Sequence, residues 1–92
     1  MRKIFKLNLE LQESQTFELP RGSKMMSVGN QGEKLKVWYS DTGLTTKRTF
    51  EFKVVGTAFE DGYPNESDGW KFLGTVLFMS GSLVVHVFWR TL

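Results

Sequence analysis

The sequence predicts an all-β domain, a small antiparallel barrel or sandwich of about six to seven strands, and three observations point there. Apolar residues recur with a period of two through most of the chain, and no apolar i, i+3, i+4, i+7 stripe persists for the ~10 residues that a packed helix needs. A glycine, or a pair of turn-forming residues, stands near most places where the alternation breaks. At 92 residues the chain has surface enough to bury for one core only, so residues 1–92 are expected to form a single β domain.

The elements follow in order. Phe5, Leu7, Leu9 and Leu11 alternate with Lys6, Asn8 and Glu10, which gives a first strand with one dry and one wet face. The segment Leu9–Gln15 also contains good helix formers, so a short helix there is the alternative. A second strand, Gln15–Leu19, ends at Pro20, which has no N–H to give to a ladder, and Arg21–Gly22 makes the turn. The third strand, 23–30, is expected to place Met26 and Val28 on one face. Gln31–Gly32 then connects tightly into Glu33–Ser40, where Leu35, Val37 and Tyr39 oppose Lys34, Lys36 and Trp38. After the break at Asp41-Thr42-Gly43, a strand from about Arg48 to Phe59 sets Phe50, Phe52 and Val54 against Glu51 and Lys53. Residues 60–69, EDGYPNESDG, have the composition of an exposed loop. Two strands, Trp70–Met79 and Ser82–Arg90, close the chain around a tight Ser80–Gly81 connection. In the last, Leu83, Val85, Val87 and Trp89 share one face and Val84, His86 and Phe88 the other. A strand apolar on both faces is central or covered by another subunit, and a homo-oligomer is expected.

Composition excludes several classes of function. Without cysteine there are no disulfides, thiolate zinc sites or Cys nucleophiles. No segment has the length and apolarity of a transmembrane helix or a secretory leader, so no membrane association and a cytoplasmic location are expected. The basic pI arises from 12 Lys+Arg against 10 Asp+Glu, and no Lys/Arg block tracks a phosphate backbone, which disfavours general nucleic-acid binding. Glu60, Asp61, Glu66 and Asp68 lack the spacing of a calcium loop, and neither metal nor cofactor is expected. His86 is the only histidine. Ser80 and Ser82 lie near it without a G-x-S-x-G turn, so no enzyme is predicted.

Four residues stand out as candidates for ligand binding. Lys47 and Arg48, between Thr46 and Thr49 at a strand entrance, form a composition that holds phosphate through charge-assisted bonds. Trp38, on the polar face of its strand, is placed to stack on a base or a partner. His86, on a strand, is a candidate hydrogen-bonding group.

Taken as a series, Leu19-Pro20-Arg21-Gly22, Ser27-Val28 with Gln31, Val37-Trp38, Lys47-Arg48-Thr49-Phe50, Val55-Gly56-Thr57, Phe72-Leu73-Gly74-Thr75 and Gly81-Ser82-Leu83-Val84-Val85-His86-Val87-Phe88 resemble a family of short phage and prophage proteins without assigned function. The chain departs from that pattern at Val85, where the family often has Trp, and in continuing through Trp89-Arg90-Thr91-Leu92. The resemblance implies a phage accessory protein in the cytoplasm of the infected bacterial host. There it would antagonise host immunity by sequestering a nucleotide signal, of cyclic or ADP-ribose type, with Lys47 and Arg48 on phosphate, Trp38 stacking and His86 hydrogen-bonding. A protein–protein inhibitor of a host defence effector and a phage structural or assembly component are the alternatives.

Overall fold

A computed structural model describes residues 2–41, 43, 46–57 and 64–92. Among them lie seven strands: β1 (Lys3–Leu9), β2 (Ser14–Pro20), β3 (Lys24–Gln31), β4 (Lys34–Asp41), β5 (Lys47–Gly56), β6 (Lys71–Phe78) and β7 (Leu83–Thr91). Single 3₁₀ turns occupy Glu66–Asp68 and Met79–Gly81, and no α-helix occurs among the described residues. The strands form two antiparallel sheets, ordered β1-β4-β3 and β2-β5-β7-β6, stacked as a sandwich and not closed into a barrel.

Alternation decides what each sheet buries. Leu35 and Val37 of β4 and Phe50, Phe52 and Val54 of β5 turn inward, and Val85 and Val87 of β7 meet them from the centre of the four-stranded sheet. The doubly apolar last strand is thus central, flanked by β5 and β6. Phe17 packs edge-on against Phe52 at 5.9 Å, and Trp89 stacks on Phe50 at 6.1 Å, so rings fill the width of the core.

Two expectations from the sequence are corrected. The first strand stops at Leu9, and residues 10–13 cross to the other sheet, so Leu11 is exposed and no helix forms over Leu9–Gln15. In β3 a bulge between Met25 and Ser27 inserts Met26 as an extra residue. The inward positions become Met25 and Val28, and Met26 faces solvent. The tight connection expected around Ser80–Gly81 does join β6 to β7 as a hairpin, through a 3₁₀ turn in which Met79, Ser80 and Gly81 all have positive φ (50°, 55° and 92°). The expected continuation of β5 to Phe59 falls on 58 and 59, outside the described residues.

The two sides of the sandwich are finished differently. β3 closes against β6, where Asn30 Nδ2 donates to the Leu77 carbonyl at 3.1 Å and the Met79 N–H donates to Glu33 Oε1 at 3.3 Å. Gly74 makes this approach possible, because a Cβ there would stand 2.7 Å from Val28 Cγ1. At the other side β1 and β2 are the outermost strands of their sheets.

Candidate functional site

Trp38 lies on the outer face of the three-stranded sheet, on the opposite side of β4 from the buried Leu35 and Val37. Its cross-strand neighbours are Lys6 of β1 and Ser27 of β3. Gly29 of β3 leaves room for the ring: a Cβ there would stand 3.4 Å from Trp38 Cζ3. The indole therefore reaches across β3 and rests on its backbone while remaining half-exposed.

The same face gathers cations. Lys34 and Lys36 precede Trp38 on alternate positions of β4, Lys6 is opposite it, and Lys24 is opposite Ser40. Arg2 reaches Ser40 from the start of β1, with Nη1 donating to the carbonyls of Gly22 (3.1 Å) and Ser40 (3.3 Å). These groups bond neutral acceptors. Lys6 Nζ donates to Gln31 Oε1 at 2.8 Å and Lys36 Nζ to Asn8 Oδ1 at 2.5 Å. The one ion pair among the described residues, Arg90 with Glu51, lies on the other sheet. The sole carboxylate on β1, β3 or β4 is Asp41, which is buried on the inner face. A chain nearly neutral in sum thus presents one face of uncompensated positive charge around an open aromatic ring. Such a face attracts anions and supports a flat ring.

The four residues singled out from the sequence do not converge within one chain. Trp38 is on the outer face of one sheet and His86 on the outer face of the other. His86 is held by Thr57 Oγ1 at 2.9 Å from Nε2 and Thr75 Oγ1 at 2.9 Å from Nδ1, so both ring nitrogens already have hydroxyl partners. Exposed Phe72 and Leu77 stand on the same face. Lys47 and Arg48 open β5 opposite Pro20 and Leu19, exposed at one end of the four-stranded sheet. Of the acidic loop, Glu66 and Asp68 lie in a 3₁₀ turn capped by Asn65, whose Oδ1 accepts from the Ser67 N–H at 3.0 Å. Glu60 and Asp61 are outside the described residues. No three His, Cys, Asp or Glu side chains cluster as metal ligands among the described residues.

A depression of about 460 Å³ opens beside the β3–β4 turn, with Leu9, Leu35 and Phe78 on its walls and Glu10, Glu33 and Lys34 at its rim. Its mixed rim charge gives no preference for an anion, and Glu33 is already engaged by Asn30 and Met79. On the inner face, burial and then the Asp41 charge push the Tyr39 hydroxyl above its usual range, which keeps it neutral against Phe5.

Lys6, Lys24 and Arg2 carry no sequence signal of their own. The alternation Lys34, Lys36, Trp38 is visible along one strand, but the other cations join it only through strand register. Over residues 1–92 the chain matches the family described as a domain of unknown function (DUF7352). No curated protein and no solved structure matches it.

Proposed function

Given that the chain belongs to the DUF7352 family, we propose that it acts by binding, without catalysis, a nucleotide on the outer face of its three-stranded sheet. The base stacks on Trp38, and the phosphates meet the ammonium groups of Lys6, Lys36 and their neighbours on β3 and β4. The observation that carries this reading is the half-exposed ring beside Lys6, Lys34 and Lys36, on strands whose sole carboxylate is the buried Asp41. Among the described residues the face offers charge and a stacking surface but no carboxylate or imidazole to move a proton. That suits retention of a ligand better than its conversion. In the setting implied by the resemblance to short phage proteins, the ligand is a nucleotide immune signal withdrawn from a bacterial defence system. The phosphate-binding role passes from Lys47 and Arg48 to the lysines around Trp38, because these share a face with the ring.

The test is a depletion assay. The protein is incubated with a panel of cyclic dinucleotides and cyclic ADP-ribose isomers, removed by filtration, and the filtrate analysed before and after heat release. One ligand should be depleted and recovered intact. Trp38→Ala should weaken its binding by roughly five- to 150-fold, as expected for loss of ~1–3 kcal/mol of base stacking. An unchanged filtrate across the panel would sink the reading, and a hydrolysed nucleotide would replace it with an enzyme.

A further inference from the structure

The open side of the sandwich carries an inference independent of nucleotide binding. β3 and β6 run parallel, since Val28, Asn30 and Glu33 meet Gly74, Leu77 and Met79 in the same order. β1 runs with β3, both antiparallel to β4, and β2 runs with β7, opposite to β6. The two edge strands of the open side, β1 and β2, therefore run in opposite directions. Both leave apolar surface uncovered there. Ile4 and Phe5, on opposite faces of β1, are 63% and 43% exposed, and Leu7 and Phe17 pack on the core while only half-buried. Such edges are templates for further strand pairing.

Charge distinguishes the two edges. Residues 2–8 contain Arg2, Lys3 and Lys6 and no acid, whereas residues 9–20 contain Glu10, Glu13 and Glu18 and no base, all of them exposed. A two-fold axis perpendicular to the sheets would set β1 against β1 and β2 against β2, placing like charges together. An axis along the strands sets the β1 of each copy against the β2 of the other, antiparallel in both layers, with the basic edge beside the acidic one. Lysines on an edge ordinarily block pairing. Here they block β1 with itself and leave β2 of a second copy as the matching edge.

We propose that a second copy of this chain docks on the open side through reciprocal β1–β2 pairing. Each layer then continues from the three strands of one copy into the four of the other, and Phe5 and Phe17, both on inner faces, are covered.

The experiment is a solution mass measurement on the full chain. Sedimentation should give twice the 10.6 kDa chain mass, falling toward one chain in high salt. Lys3→Glu/Lys6→Glu and Glu13→Lys/Glu18→Lys should each be single chains at concentrations where the unaltered protein pairs, and an equimolar mixture of the two should recover the double mass. A single-chain mass for the unaltered protein, pairing that survives in either variant alone, or a mixture that stays unpaired overturns the proposal. If a variant does not fold, hydrogen exchange of the unaltered chain decides: amides of 3–9 and 14–20 should gain protection as concentration rises. Concentration-independent exchange at both edges overturns it equally.

Discussion

Arg90 shows how one side chain ties a loop to a sheet. Its Nε donates to Glu51 Oε1 at 2.8 Å, its Nη1 donates to the Asp68 carbonyl at 2.9 Å, and its guanidinium carbon stands 4.4 Å from the centre of the Trp70 ring. Trp70 is buried, and Lys53 approaches the same ring at 5.7 Å, so two cations share it. The consequence falls on Glu51. Burial by itself raises its carboxyl pKa, but hydrogen bonds from Arg90 and Ser14 and the charges of Arg90 and Lys53 outweigh that and hold it below its ordinary value of 4.5. A carboxyl that ionises more readily in the folded state stabilises the fold above its unfolded pKa, and the contribution is lost as pH falls through the folded one. Glu51→Gln is therefore expected to cost roughly 1–2 kcal/mol at neutral pH. In urea titrations the gap between variant and parent should close in acid, below about pH 4.5. A gap that persists there would mean that the loss is one of packing and not of charge.

At the scale of the element, the closest contact between layers is where β3 meets β6, and Gly74 governs it. A methyl at 74 would be driven into Val28 Cγ1, which stands 2.7 Å from the Cβ position on a stiff, β-branched side chain. Gly74→Ala should lower stability by about 1–3 kcal/mol, and Val28→Ala in the same chain should restore part of it, as a double-mutant cycle of thermal unfolding would show. Additive losses would place the strain elsewhere. That contact is invisible in the sequence, where Phe72-Leu73-Gly74-Thr75 is simply a strand containing a glycine. About six to seven strands along the chain and the split faces of β4, β5 and β7 were legible because alternation is a local property, whereas their order within the sheets was not. The bulge at Met26 and the crossing after Leu9 were not, since each answers to pairing with a distant strand. The candidate site divides along the same line. Trp38 with Lys34 and Lys36 could be found on one strand, but Lys6 and Lys24 reach them only through ladders with β4. His86, a candidate hydrogen-bonding group on its strand, finds its partners inside the fold, in Thr57 and Thr75.

For the molecule as a whole, the near balance of charge conceals segregation. Uncompensated lysines crowd the outer face of one sheet, and on the open side one edge is basic and its neighbour acidic. The same topology fixes how the chain assembles. Only β3–β4 and β6–β7 are hairpins. β1 with β4, β2 with β5, and β5 with β7 join strands far apart in sequence. Loop-closure entropy must be spent on these three ladders before either sheet gains its inner face, and no α-helix among the described residues supplies early local contacts. Refolding from urea, followed by tryptophan fluorescence in a stopped-flow instrument, is accordingly expected on the ~millisecond-to-second scale of non-local β topologies. Trp89 is the natural reporter, because it stacks on Phe50 across the β5–β7 ladder. Replacing Trp38 with Phe removes a surface fluorophore and should leave this phase unchanged. A dominant phase much faster than ~1 ms would show that the hairpins alone order the core, and that the long-range ladders add to a structure already formed.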